Sequence, residues 1–250
     1  MQAHETVPEA DVAQDQPLSY VEMRDFMTAL FEQVPVDELD PQKVRWYLAQ
    51  KGRIGEDLQP VRSLFLRPIP PVDLREWTSF YRRIFKREID LSGLYVPLKP
   101  DYPCRAIVNP RGITNNQAFD ACTKRFNGKT WRYVDDLDTV TDVVKRHDGP
   151  YAIWVRDVVE ADEDLKDLSA DQLSEQKVDT ETLFERMVHE LKYHDETQRH
   201  LDLQNWTLCA GSRYADGNVP YCSWGVDEFR VRWTDVHSAR SHLRSRRAVS

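Results

Sequence analysis

One short stretch concentrates groups able to do chemistry. Cys209-Ala-Gly-Ser-Arg-Tyr-Ala-Asp-Gly-Asn218 carries a thiol, a hydroxyl, a guanidinium and a carboxylate within eight residues. Gly211 lets backbone N–H groups approach an anion, and Arg213 offers a planar fork to phosphate or carboxylate. Ser212 and Asp216 complete this candidate anion-binding loop. The competing reading makes Asp216-Gly217 a type I′ hairpin turn and pairs Arg213 with a local acid. Ser212 does not sit in a G-x-S-x-G nucleophile elbow, so the spacing gives no support to a serine hydrolase.

A second candidate lies at the C-terminal end, where Arg230, Arg232, Arg240, Arg244, Arg246 and Arg247 face only Glu228 and Asp235. Interleaved with Trp233, His237 and His242, these arginines suit phosphate contacts by counterion release, with an aromatic ring for stacking. Their alternative partner is the chain's own acidic run, Asp157, Glu160, Asp162, Glu163, Asp164 and Asp167. That run lacks the alternating ligands and turn glycine of an EF-hand loop. The expected anion-binding residues are therefore Gly211, Ser212, Arg213 and Asp216 in the loop, with Arg240, Arg244, Arg246 and Arg247 at the end.

Other reactive pairs are weaker. Cys209 with His194 or His200 would make a thiolate–imidazole pair, but nothing in the spacing sets that distance, and a buried structural cysteine is the expectation. His189 and His194 stand five apart, about 140° around a helix, so they do not share a face. Glu190 and His194 have the right spacing, yet one such pair is more often a surface contact. Cys104, Cys122, Cys209 and Cys222 form no C-x-x-C pair. Neither a metal site nor a cofactor is expected.

These residues need a scaffold, and 250 residues with 40% apolar and 10% aromatic content can bury a core. Net charge is -8, which disfavours nucleic acid for the chain as a whole. No apolar run is long enough to span a bilayer and no secretion signal precedes the first helix, so a cytoplasmic protein with reduced thiols is expected. Residues 1–17 read as a loose tail. Ser19 and Glu22 form a capping box for a helix over about 19–34, Asp40-Pro41 opens another that ends at Gly52, and prolines mark 53–72 as a connector. Asp73 caps a helix carrying Trp77, Phe80, Tyr81, Ile84 and Phe85.

After Pro97 the pattern changes. Short β-type runs at 104–108, 131–134 and 151–155 alternate with a helix capped by Thr114 or Asn115 and another over 138–147. Ser169 caps a short helix, Asp179 starts a strong one, and strands follow at 206–210, 219–224 and 229–233. The fold class is α+β: a helical N-terminal region over residues 18–92, then a mixed αβ domain over 93–250 with one small sheet. That sheet should gather 104–108, 151–155, 206–210 and 229–233.

Three stretches are distinctive together: Tyr151-Ala-Ile-Trp-Val-Arg-Asp157 with Val159-Glu-Ala-Asp-Glu-Asp-Leu165; Leu201-Asp-Leu-Gln-Asn205 with Thr207 through Pro220; and Leu243-Arg-Ser-Arg-Arg-Ala-Val-Ser250. In this order, over about residues 102–250, they resemble a family of hypothetical bacterial proteins. The resemblance implies a bacterial, non-secreted setting and the unity of the C-terminal part, and it carries no residue role. The functional expectation is a binding or interaction protein whose arginine-rich C-terminal face engages an anionic partner, either nucleic acid or an acidic protein face. The alternative is an enzyme of unassigned class that uses residues 209–218 as an anion-binding wall.

Overall fold

The computed structural model describes residues 72–250 continuously, together with Tyr20, Val21, Arg24, Asp25, Thr28, Ala29, Gln42 and Arg45, which are helical. The expected tail over 1–17, the connector over 53–72 except its last residue, and most of the two first helices lie outside the described residues. Helix and strand together make this an α+β protein. No helix among the described residues is long and apolar enough to cross a membrane.

Helix α1 (Leu74–Phe85) starts where Asp73 accepts from the N–H groups of Arg75 and Glu76. Its inner stripe, Trp77, Phe80 and Tyr81, is buried, and the Tyr81 hydroxyl donates to the Val108 carbonyl at 2.6 Å. Strand β1 (Cys104–Asn109) follows, then α2 (Asn115–Arg125), opened by a capping box of Thr114 with Gln117. Next come β2 (Thr130–Arg132), β3 (Thr141–Asp142) and β4 (Tyr151–Arg156). Ser169 and Gln172 box the short α3 (Ala170–Glu175). The long α4 (Leu183–Thr197) begins three residues later than its expected start, because Thr182 with Glu185, rather than Asp179, closes the box. Strands β5 (Trp206–Leu208), β6 (Ser212–Arg213), β7 (Val219–Gly225), β8 (Glu228–Thr234) and β9 (Leu243–Arg244) end the chain.

The helix expected over 138–147 is not formed. Only a 3-10 turn, Leu137–Thr139, and β3 occupy it. Asp136 caps that turn, and Asp138 is used on α2, where its carboxylate accepts from Asn116 N–H at 2.8 Å. Short acids that bond neighbouring backbone, followed by the β-branched run from Thr139 to Val144, favour turn and strand over helix.

The single expected sheet resolves into three. Strands β2-β8-β7-β5-β9 form one in that order, β1 pairs with β4, and β3 pairs with β6. Strand β4 does not join the larger sheet because its second edge is taken by bridges from Tyr95 and Val249. One core nevertheless serves both: Val108 and Ile153 pack in the same cluster as Cys222, Phe229 and Val231, around Leu183, Met187 and Leu191 of α4. Alternation along β7 sends Tyr221 to the other face, where it meets Leu165, Leu173, Leu208 and Leu243 in a second cluster.

The type I′ turn is also elsewhere. It joins β7 to β8 through Val226 and Asp227, both left-handed at φ 54° and 61°. At the expected site only Gly217 has positive φ, and the loop closes by Tyr214 N–H to the Asn218 carbonyl. Strand β6 turns away from β7 to pair with β3 instead.

Candidate functional site

That β3–β6 pairing builds the first site. Thr141 lies opposite Arg213 and Asp142 opposite Ser212, and Val143 N–H continues the ladder to the Gly211 carbonyl at 2.8 Å. The segment after β3 is thereby laid against the loop 209–213, and the chain following α3 closes the third side. The result is a cleft of about 380 Å³ with Lys145, Arg146, Lys177, Asp179 and Arg213 among its lining residues.

Within the cleft the charges are unequal. Arg146 is buried and fully engaged: its Nη1 reaches both Asp179 oxygens at 2.8 Å, its Nε donates to Glu185 at 2.7 Å, and its Nη2 donates to the Thr180 carbonyl. Burial works against its charge, but Glu185 and Asp179 outweigh burial and hold the guanidinium above its ordinary value. Asp179 also accepts from the Ser250 hydroxyl at 2.7 Å, so it is not a spare acid. Lys145, Lys177 and Arg213, by contrast, have no carboxylate in ion-pair contact among the described residues. Arg213 donates only to the carbonyls of Ala210 and Ser212, both at 2.8 Å. Burial lowers its guanidinium from the ordinary value, and Asp171 acts in the opposite direction.

The other loop residues serve the walls. Gly211 is packed so closely that a Cβ would stand 3.0 Å from the Thr180 carbonyl oxygen and 3.1 Å from that of Glu181. Ser212 is sealed: its hydroxyl donates to Asp142 at 2.9 Å and accepts from Leu183 N–H at the start of α4. Asp216 lies on the exposed turn and accepts from Asn218. Cys209 is buried beside Cys222 with sulfurs 3.9 Å apart, and burial pushes its thiol well above the ordinary value. Both thiols are free, and Cys209 Sγ has the Thr207 carbonyl oxygen and Cys222 Sγ as partners, not His194 or His200.

The arginine-rich end is divided. Arg240 is exposed. Arg244 pairs with Glu163, and Arg247 stands 3.7 Å from Asp164 while its N–H donates to buried Asp162. Arg246 is only 1% exposed and belongs to the interior. It donates to Asp202 at 2.7 Å, to Thr207 at 3.1 Å and to the carbonyls of Val158 and Val159. Further up the strand, Arg230 pairs with Glu228 and Arg232 lies over the Trp131 ring.

Arg246 is one corner of a buried quartet. Arg186 on α4 bridges Asp202 at 2.7 Å and Glu190 at 2.9 Å, and all three are sealed from solvent. Two guanidinium charges face two carboxylates, so the cluster closes at zero. Burial raises Asp202, but Arg246 and Arg186 outweigh it and hold the carboxyl below its usual range. Glu190 also meets His200, at 2.9 Å from Nδ1, rather than His194 four residues on. Sequence reasoning missed this quartet, though Arg186 and Glu190 stand four apart on a helix whose whole circumference from Leu183 to Tyr193 is buried.

A second buried pair lies nearby. Glu181 meets His189 at 2.8 Å, with Glu181 Oε2 and His189 Nε2 left without partners. Burial pushes the Glu181 carboxyl up to about 8 and the His189 imidazole well down. Among the described residues no three His, Cys, Asp or Glu side chains converge as metal ligands. No family model, no curated protein and no solved structure matches the chain.

Proposed function

We propose that this is a binding protein for a small anionic ligand, phosphorylated or carboxylated, held in the cleft beside Arg213. The observation that carries this reading is the gathering of Lys145, Lys177 and Arg213 around one cleft with no carboxylate among the described residues in ion-pair contact with any of them. Cations without a carboxylate partner in a concave site favour an anion, and Arg213 adds fork geometry to the two lysine point charges. Its volume, about 380 Å³, suits a small molecule.

Binding is favoured over catalysis because the cleft's acid, Asp179, is bonded to Arg146 and Ser250. It therefore offers no spare acid–base pair of the kind a reaction needs. The C-terminal arginine face supports an external anionic partner less well, since Arg244, Arg246 and Arg247 all meet carboxylates of the chain itself.

The test is thermal unfolding of the full chain with inorganic pyrophosphate as probe. A ligand at a hundred times its Kd adds about 2.7 kcal/mol to the stability of a native state that alone binds it. A saturable rise in Tm is expected in the wild type and in Arg240→Gln, and not in the Lys145→Gln/Lys177→Gln pair. Equal rises in all three would overturn the assignment to the cleft. Retention of single-stranded nucleic acid at about 50 mM salt, lost in Arg240→Gln, would favour the C-terminal face instead.

A further inference from the structure

On the opposite end of α4 from the cleft, a separate pocket of about 430 Å³ opens between the end of α2, the end of α4 and β7. Its lining includes Arg125, Lys129, His194, His200 and Trp224, and no carboxylate. We propose that this pocket is a second site, independent of the cleft, which takes a phosphomonoester-type oxyanion and exchanges a proton with it through His200.

His200 is held as a proton-exchanging group would have to be. Its Nδ1 lies 2.9 Å from a carboxylate oxygen of Glu190, which is itself fully buried. Glu190 accepts, so Nδ1 carries the proton and Nε2 is the nitrogen free to gain one. The ring is fixed by stacking on Trp224, with 7° between planes, and by the edge of Phe126 at 5.0 Å. Nε2 has no hydrogen-bond partner among the described residues, and unlike His189 Nε2 it is not closed off from solvent. The His200 side chain is 18% exposed, at the pocket wall.

The neighbours define the ligand. From α4, Glu190 and, through it, Arg186 reach His200, and the His194 ring lies 4.7 Å away. His194 accepts from Arg125 Nε at 3.2 Å, so its proton sits on Nε2 and it serves as a donor. Burial first, then His200 and Arg125, lower its imidazole from the ordinary value and keep it neutral. From α2, Arg125 is partly offset by Asp195 at 3.6 Å. Lys129, just beyond α2, has no carboxylate partner among the described residues, and β7 contributes the neutral Trp224 to the lining. The pocket therefore offers one uncompensated cation, one neutral donor and one oriented acceptor.

A carboxylate satisfies the cation but has no proton to give at neutral pH. A phosphate monoester, whose second ionisation lies near pH 6, still presents a monoanion fraction that carries one. As the monoanion enters, its P–O–H proton passes to His200 Nε2. The O–H bond breaks, the N–H bond forms, and the products are a phosphate dianion and an imidazolium. Lys129 and Arg125 stabilise the first, Glu190 stabilises the second, and no other reactant is consumed.

The experiment uses the full chain labelled with 15N-histidine, followed at pH 7 while inorganic phosphate is added. His200 Nε2 should move saturably toward imidazolium values, and Lys129→Gln should weaken the midpoint at least threefold. In His200→Gln the His194 signals should no longer respond. The Lys145→Gln/Lys177→Gln variant should titrate like wild type, which separates this site from the cleft. Acetate should leave the protonation of His200 unchanged. A His200 signal that stays still up to about 20 mM phosphate, well past a ~1 mM site, would overturn the proposal. So would a response that is the same with acetate or indifferent to Lys129→Gln.

Discussion

Replacing Arg246 by glutamine is the sharpest test of how the C-terminal end is used. If this arginine served an external anion, its loss would cost the fold almost nothing. Its actual position is 1% exposed, with Asp202, Thr207 and the carbonyls of Val158 and Val159 as acceptors. Glutamine is shorter and uncharged, so it leaves the part-buried Val158 carbonyl short of a donor, while the Val159 carbonyl keeps the Asp202 N–H, and it leaves Arg186 as the one guanidinium shared by Asp202 and Glu190. Each stranded acceptor costs about 1–3 kcal/mol, and breaking a buried ion pair by removing one partner costs about 3–5 kcal/mol. The two figures describe overlapping losses, so about 3–5 kcal/mol is the expectation rather than their sum. For a folded unit of this size each kcal/mol moves Tm by about 2–4 °C, which gives a fall of roughly 6–20 °C. Circular dichroism melts of Arg246→Gln beside Arg240→Gln read it directly. The exposed Arg240 should change stability by no more than about 0.5 kcal/mol. A fall below about 3 °C in Arg246→Gln, or equal falls in both variants, would refute the assignment of Arg246 to the interior.

What the sequence made legible was local. The caps at Asp73, Thr114 and Ser169 are each a short polar side chain bonded to an N–H two or three residues on, and such contacts are written in adjacent letters. The aromatic stripe of α1 is buried for the same reason: helical spacing alone brings Trp77, Phe80 and Tyr81 to one side. Partition into sheets was not legible. Strand β4 reads like any core strand, and only the return of Val249 and the approach of Tyr95 decide that its free edge is filled. The I′ turn at Val226-Asp227 was hidden because a β-branched residue there contradicts the usual Asn-Gly or Asp-Gly signal, whereas Asp216-Gly217 carries that signal without the turn.

Sites follow the same division. Arg213 stands out because its loop is compositionally odd, while Lys145 is unremarkable until the β3–β6 pairing, and Lys177 until the chain after α3, brings it to the same cleft. Gly211 apart, the expected anion-binding residues look alike as polar side chains, yet burial sorts them into opposite roles. Arg246 and Ser212 are interior, while Arg240 and Asp216 are on the surface. Glu190 was read with His194 because they stand four apart on one helix; the chain turns at Gln198, in the left-handed region, and brings His200 back instead.

Two further outcomes test the wall between cleft and core. Gly211→Ala places a methyl 3.0 Å from the Thr180 carbonyl oxygen, 3.1 Å from that of Glu181 and 3.1 Å from Val144 Cγ2, and backbone cannot yield as a side-chain tip can. A loss of about 1–3 kcal/mol by urea unfolding is expected, and a loss under about 0.3 kcal/mol would show that the approach is looser. Glu181 controls a pH dependence. Its carboxyl titrates at about 8 in the fold, against 4.5 ordinarily, so between these values the native state holds a proton that the unfolded chain has released. Stability therefore falls as pH rises through that window and levels off above it. His189 acts in the opposite sense below pH 6.5, where only the unfolded chain binds its proton; between pH 7 and 8 it is neutral in both states and drops out. In that upper interval the wild type should lose up to about 1.4 kcal/mol per pH unit. Glu181→Gln has no proton to release, so this contribution disappears and its unfolding free energy should run flatter than wild type from pH 7 to 8. Parallel curves for the two proteins across that interval would mean that Glu181 is already ionised in the fold, with its charge met by Arg246 and Arg186 rather than suppressed by burial.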